Sequence, residues 1–548
     1  MELTRREFLK ISGTAAAGLS LGGCFEGLTG ISVKKKPNIL LIMADDMGFS
    51  DIGCYGGEIN TPNLDKLAEN GLRYRQFYNS ARCCPSRASL ITGLYPHQTG
   101  LGWMTVSDLG QPGYTGELND KCITIAQGLK PAGYRCYMSG KWHVVFDKDM
   151  EENRPKENWP LQRGFDRYYG HLAGDGGYYK PRALTEDNTR IEAPDENYYY
   201  TDAIADHAVE FLNDHYSKYD EEPFFMYVPF YSPHRPLHAK PEDIAKYKGK
   251  YMAGWDEIRK QRCRKQIEIE LFNAGWDLST RDSSVPAWDN VPENQKALWD
   301  MRMATYAAMV DCMDQGIGRI LNALKKINAF ENTVVIFISD NGACAETAGN
   351  GNIDTIGTAA TEESYRTAWA NASNTPFRLY KSFVHEGGIS SPMIVHWPNG
   401  LKVPKGSYCD TIGHVIDLMP TCLELAGGHY PEEYNGNKIY PLPGKSLVPA
   451  FAGKDVPREA LYFEHEANRA IRKGNWKLVS RAAFRAPYTG QWELYDLEQD
   501  RTETKNLAEQ YPEIVNELAA MWDKWANENN VYPLDGRGWN QKIRASIR

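Results

Sequence analysis

Three groups of residues carry the chemistry of this sequence, and the first is Cys83-Cys84-Pro85-Ser86-Arg87, which continues through Leu90 and Thr92 to Gly93. Proline suits the first turn of a helix, where its missing N–H costs nothing, so Cys83 is expected just before a helix N-terminus. Free backbone N–H groups and the helix dipole favour negative charge there, which would activate the thiol even unmodified. The same residues also read as a buried thiol pair beside a helix start. The second group is Asp45-Asp46 with Asp340-Asn341. Three carboxylates and an amide oxygen are hard ligands, suited to calcium or magnesium and poor for zinc. An Asp pair after a strand is also an ordinary turn or helix cap. The third group is basic: Lys141, His143, His234 and Lys381. Lys141-Trp142-His143 puts two side chains on one side of an extended segment. Singly such residues are mostly solvated; with Arg87 they would offset the charge of an anionic substrate.

Taken together, Cys83-x-Pro85-Ser86-Arg87 and Leu90-x-Thr92-Gly93 are similar to the signature of type I sulfatases. The resemblance runs in order from Pro37 to Trp397 and more loosely through the C-terminal part. Tyr306 to Leu321 and Phe463-Glu464-His465-Glu466 look like the bacterial arylsulfatase branch. It implies an alkaline-phosphatase-like α/β fold. It also implies a maturation enzyme that oxidises Cys83 to formylglycine, whose hydrate attacks sulfur, with Arg87 orienting and neutralising it; Cys84 fills the variable second position. By the same resemblance Asp45, Asp46, Asp340, Asn341 and an oxygen of residue 83 coordinate a divalent cation, usually calcium. Lys141, His143, His234 and Lys381 stand at sulfate-binding positions. The implied roles are Asp340 as proton acceptor from the hydrate, Lys141 as sulfate holder, His234 assisted by Lys381 as acid for the leaving oxygen, and His143 as the base that expels sulfate. His465 and Glu466 are candidates for leaving-group contacts.

A sulfated sugar suits the tyrosines near the expected rim, Tyr178, Tyr179, Tyr198, Tyr199 and Tyr200, which also read as packing anchors. Two other readings remain open on sequence: a phosphomonoester, phosphodiester or phosphonate hydrolase of the same superfamily, and a non-catalytic lipoprotein that captures sulfated glycans.

The elements that must position these groups follow from periodicity. From Pro37 onward short β-rich runs alternate with helical patterns, which predicts a large, mostly parallel sheet flanked by helices. The runs are Asn38 to Ala44, Tyr134 to Ser139, Pro223 to Phe230, Thr333 to Ser339 and Met393 to Trp397. The first four each lead into one of the polar groups above, so four strand ends are expected to share one rim. Trp255 to Asn290 reads as a charged, helical insertion bordering the site. A helix over Ile412 to Ala426, stopped by Gly427-Gly428, closes a catalytic domain spanning 36–450. Four short strand-like segments and an amphipathic helix over Glu513 to Asn527 then form a small antiparallel α+β unit within 451–548.

At 548 residues with a net charge of −9, the chain offers no field for nucleic acid. Its start reads as an address: Arg5-Arg6 before a weakly apolar stretch fits the twin-arginine translocase, and Leu21-Gly22-Gly23-Cys24 resembles a lipobox. The segment 1–24 is therefore expected to be a signal peptide, and the product a periplasmic or cell-envelope lipoprotein that meets the membrane only through a lipid on Cys24. Of eleven cysteines, nine remain after Cys24 and Cys83, so at least one is expected free, and no pairing is predicted.

Overall fold

The run Asn-Ile-Leu-Leu-Ile-Met-Ala lacks polar alternation, the pattern of a strand covered on both faces. In the computed structural model Asn38–Ala44 is the central strand β1, buried along its whole length. Its side chains alternate between two cores: Leu40, Ile42 and Ala44 join one hydrophobic cluster, and Ile39, Leu41 and Met43 another. The structure describes residues 35–482 and 490–548. Arg5, Arg6 and Cys24, which carry the export and lipid expectations, lie outside the described residues.

After β1 the main elements are α1 (Pro62–Glu69), β2 (Leu72–Tyr78), α2 (Cys83–Thr92), β3 (Arg135–Ser139), β4 (Arg167–His171), α3 (Tyr200–Lys218), β5 (Phe224–Pro229), α4 (Gly254–Glu268), α5 (Glu293–Lys326), β6 (Thr333–Ser339), β7 (Ser390–His396) and α6 (Leu418–Ala426). The strands order as β2-β7-β6-β1-β5-β3-β4, and short edge strands bring the sheet to eleven. From β6 to β4 neighbours are parallel, whereas β7 is antiparallel to both β6 and β2. Ile204 of α3 and Ile317 and Ile320 of α5 cover one face; Leu90 of α2 and Leu418 and Met419 of α6 cover the other. This is the alkaline-phosphatase-like architecture that the sequence implied.

Two expectations need correction. The helix expected from Ile412 starts only at Leu418: Gly413–His414 pairs with β2 and Val415–Asp417 is a single 3₁₀ turn. His414 N donates to Asp417 Oδ2 (2.8 Å) and Ile416 N to His414 Nδ1 (3.2 Å), so side chains cap the turn where a helix would need backbone partners. The charged insertion supplies α4, but it lines no part of the site. Its Arg262 is buried on Asp51 (2.7 Å) and Glu58 (2.8 Å) and braces the turn that follows β1.

In the C-terminal part, β8 (Leu461–His465), β9 (Asn468–Lys473), β10 (Trp476–Ser480) and β11 (Glu493–Asp496) form an antiparallel sheet in that order. The amphipathic helix α7 (Pro512–Glu528) covers it with Leu518, Trp522 and Trp525. A further helix, α8 (Trp539–Arg544), had no sequence signal. Residues 37–548 form one compact unit, so the small sheet is built onto the large one. A buried ionic cluster joins them. Lys477 of β10 meets Glu386, just before β7, at 2.9 Å and Glu503 at 2.8 Å, and Glu386 accepts from Tyr78 of β2 (3.0 Å). All ten described cysteines are free and buried, and among the described residues no helix is long and apolar enough to cross a membrane.

Replacing Lys477 with Met should leave the buried Glu503 carboxylate without its cation, while Glu386 keeps Arg501 (3.4 Å), and cost about 3–5 kcal/mol of unfolding free energy, read by urea denaturation. Burial raises the Glu386 carboxyl, but Lys477, Arg501 and Arg472 outweigh it and hold it at about 2 against an ordinary 4.5. A depressed folded pKa contributes stability above pH 4.5 that is lost as pH falls toward about 2. Glu386→Gln should therefore flatten the acid limb of the stability curve over that window.

Candidate active site

Parallel strands present their carboxyl ends along one edge of a sheet. Because β6, β1, β5 and β3 are consecutive, Asp340-Asn341, Asp45-Asp46, His234 and Lys141 to His143 emerge side by side. The ladder continues past the strand ends, through Asp340 N to Ala44 O (3.1 Å), Asp45 N to Ser232 O (3.1 Å) and Lys141 N to Pro229 O (2.9 Å), and fixes these residues in height. β7 runs the other way, so its start lies at the same edge and the loop before it brings in Lys381. Close packing of that loop on β6 requires glycine: a Cβ on Gly342 would stand 1.8 Å from Gly387 O.

Three carboxylates face three cations, and all six side chains are buried. Lys141 Nζ lies 2.6 Å from Asp45 Oδ2, Lys381 Nζ 2.6 Å from Asp46 Oδ1, and Arg87 Nη2 2.8 Å from Asp340 Oδ2 and 3.4 Å from Asp45 Oδ2. Burial and the adjoining Asp340 raise the Asp45 carboxyl despite Lys141. At Asp46 burial is outweighed by Lys381 and His234, so its carboxyl is driven far below the usual range. Lys381 is in turn held firmly protonated: burial opposes its charge, and Asp46 and other anions overcome it.

The helix α2 starts at Cys83 itself, one residue earlier than expected. The expectation of an activated thiol is overturned: Cys83 is buried, and desolvation raises its pKa above 9.0 despite Lys381 and Lys141. The dipole of a ten-residue helix does not offset full burial. Cys84 turns away, its Sγ donating to Trp103 O at 3.1 Å.

Asp46 (φ 66°) and His143 (φ 54°) adopt left-handed backbone, a strained geometry of a kind concentrated at functional sites. Lys141 and His143 therefore reach the site through a turn and not by the alternation of an extended segment. His143 rests on bare backbone, where a Cβ on Gly174 would stand 2.2 Å from its Nε2. Burial, with Lys141 and Arg87 adding to it, pushes His143 well below 6.5 and keeps it neutral. His234 Nδ1 lies 2.6 Å from Arg235 O and 3.0 Å from Tyr231 OH, and its Nε2 is 3.5 Å from Asp46 Oδ2. Desolvation outweighs Asp46 and Asp45 and lowers His234 to about 4. Lys381 and His234 thus meet on Asp46, the lysine favoured in its charged form and the histidine in its neutral form.

Asp45 Oδ1 and Asn341 Oδ1 are buried with no hydrogen-bond partner. Asn341 spends its Nδ2 on Asp46 Oδ1 (2.8 Å) and Gly342 O (2.9 Å), which leaves the carbonyl oxygen unpaired. Buried oxygens without a donor fit a hard cation. Among the described residues Asp45, Asp46 and His234 bring ligand atoms within 4.8 Å of one another. Asp340, expected as a further ligand, stands beside them with Oδ2 on Arg87 (2.8 Å) and Oδ1 on Asp46 N (3.2 Å), contacts of the kind that Asp46 itself makes with Lys381.

Cys83, His143, His234 and Lys381 line a cavity of about 180 Å³, which shares Arg82, Arg235, Glu346, Lys381 and Trp539 with a second of about 610 Å³. Sequence reasoning missed four of these. Arg82 and Arg235 adjoin Cys83 and His234 in the chain, but Glu346 and Trp539 carried no signal. His465, expected to touch substrate, is fully buried and lines neither cavity, whereas Glu466 lines the larger one. Four of the five rim tyrosines are buried: Tyr178 donates to His234 O (2.8 Å) and Tyr200 to His171 Nδ1 or from it (2.9 Å), so they anchor loops and offer no face to a sugar.

Buried acids and bases in balance on one sheet edge, with oxygens that could hold a cation, suit an enzyme acting on an anionic substrate. The chain belongs to the sulfatase family, whose model matches residues 37–428, and a model of the N-sulphoglucosamine sulphohydrolase C-terminal part matches 377–528; it is a sulfuric ester hydrolase. It is 34% identical to an uncharacterised sulfatase of Schizosaccharomyces pombe, over 91% of this chain and 94% of that one. With an arylsulfatase of Klebsiella aerogenes it shares 30% identity over 78% and 94% of the two chains. Ps i-CgsB, solved in complex with k-i-k-neocarrahexaose, superposes with a TM-score of 0.66 at 26% identity, over 93% and 96% of the chains.

A saturating divalent cation at one hundred times its Kd should stabilise the protein by about 2.7 kcal/mol, visible as a rise in Tm. Asn341→Leu, which removes the unpaired oxygen at similar size, should reduce that rise; an equal rise in the variant would count against the site.

Proposed function

We propose that the chain hydrolyses sulfate esters of carbohydrates, and aryl sulfates as well, with Cys83 converted to formylglycine and calcium held by Asp45, Asp46, Asp340, Asn341 and an oxygen of the modified residue 83. The observation that carries this reading is the placement of buried Cys83 at the head of α2, next to three cations balanced by three carboxylates. A thiol of raised pKa is a poor nucleophile, so chemistry at this position calls for modification. Formylglycine supplies a hydrated aldehyde, with one hydroxyl to attack sulfur and another to release sulfate. A divalent cation supplies a Lewis acid and tips the balanced charges of the rim positive, as an anionic substrate requires.

The chain's own residues then divide the work. Arg87 neutralises Asp340 at 2.8 Å, and Asp340 takes the proton released at position 83. Lys141 holds a sulfate oxygen. Lys381, kept protonated beside Asp46, supplies the proton for the leaving alcohol, with His234 as its neighbour on Asp46. His143, neutral because buried, removes the last proton so that sulfate departs. Carbohydrate is favoured as the alcohol by the cavity of about 610 Å³ beyond the catalytic residues and by the saccharide bound to the Ps i-CgsB relative. Export by the twin-arginine route and a lipid on Cys24 belong to the same proposal.

Cys83→Ala should lower turnover of 4-nitrophenyl sulfate by at least about a thousand-fold, and the wild type should favour that ester over 4-nitrophenyl phosphate. Mass spectrometry of the active-site peptide should find the aldehyde; an unmodified thiol in fully active enzyme would refute this mechanism.

A further inference from the structure

We propose that Trp539, from the last helix of the chain, is the platform on which the substrate's alcohol portion lies, and that it receives a pyranose ring carrying no acidic group other than the sulfate cleaved. This rests on the carbohydrate sulfatase reading above.

Trp539 lines both the catalytic cavity and the larger one beyond it, so a ring on its indole has its sulfate directed toward Cys83 and Lys381. The indole is 43% exposed. Large apolar side chains left open in a cleft mark ligand sites, and the C–H face of a sugar ring suits the negative face of an indole. Trp539 is the exposed large apolar side chain, among the described residues, that lines these cavities; Met252, Ile353, Tyr511 and Ile547 do not.

The platform is held in place from behind. Trp103, itself buried, meets Trp539 edge-on at 5.1 Å, and its Nε1 donates to Glu466 (3.0 Å). The residues that follow α8 are tied to the catalytic part by several contacts. Ile547 N donates to Asp108 O (2.9 Å), and Arg548 pairs with Glu117 and with Asp149 (2.6 Å) while its guanidinium lies 4.3 Å over the Phe146 ring. A segment remote in sequence from Cys83 and Lys381 thus lines the substrate site.

The polar side of the cleft decides the class of ring. Glu346 is gripped by Arg82 (3.0 Å) and Arg235 (3.1 Å), Glu466 lies on the same cavity, and Arg537 is paired with Asp535 at 2.8 Å. Among the described lining residues Arg82 and Arg235 stand against Glu346 and Glu466, Arg537 against Asp535 and Lys381 against Asp46, a balance that disfavours a second sulfate or a uronate. Forked guanidinium and carboxylate groups instead offer donors and acceptors to neutral hydroxyls.

The test compares wild type, Trp539→Ala, Trp539→Leu and Trp539→Phe on a panel of monosulfated hexoses and N-acetylhexosamines, with 4-nitrophenyl sulfate alongside. Trp539→Ala should raise KM for the best saccharide roughly ten-fold, with kcat within about two-fold. Trp539→Leu, which keeps the apolar contact with Trp103, should do the same, and Trp539→Phe should recover most of the loss. Competitive inhibition by inorganic sulfate should be unchanged, since it reports only the inner site. The wild type should prefer a monosulfated ring over one bearing a second sulfate. An unchanged KM in Trp539→Ala and Trp539→Leu, or a wild type that cleaves 4-nitrophenyl sulfate but no saccharide of the panel, would overturn the proposal. A wild type that cleaves no sulfate ester would instead overturn the sulfatase reading on which it rests.

Discussion

Six fully buried ionic side chains at the carboxyl edge of the large sheet constrain the rest of this protein. Asp45, Asp46 and Asp340 are placed so close together that any two of them would repel strongly in so dry a setting, and Lys141, Lys381 and Arg87 offset them one for one. Each partner reaches the rim from a different element, so the balance exists only when β1, β3, β6, α2 and the loop before β7 are all in register. Backbone ladder bonds that run one residue beyond the strands secure that register, and the glycine contact between Gly342 and Gly387 lets the Lys381 loop close on β6.

The same balance explains how the site distributes its protons. Burial disfavours every charge it does not pair, so the two histidines stay neutral while the lysine held by Asp46 stays charged. Burial works against the unmodified cysteine for the same reason: it penalises a thiolate more than the helix terminus and lysines favour it.

A second ionic cluster, Lys477 with Glu386 and Glu503, extends this logic to the small sheet. Glu386 starts the turn that leads into β7, close in sequence to Lys381, so the small sheet steadies the loop that completes the rim. The segment after α7 then crosses back to the loops around residues 103–118 and 146–149.

Much of this was written in local sequence. Continuous apolar runs announce buried parallel strands, and polar residues directly after such runs mark a shared edge, because both signals depend only on neighbours in the chain. Cys83, Arg87, Asp45, Asp46, Asp340 and Asn341 were legible on those grounds together with one compact signature. Local sequence did not show that β7 runs antiparallel, that His143 turns through a left-handed backbone, that His465 is sealed away, or that the rim tyrosines are anchors. Nor did it announce Trp539 or Glu346. Each of these depends on which distant segments share a boundary with water, and only the folded chain decides how burial, charge pairing and exposure are divided among residues hundreds of positions apart.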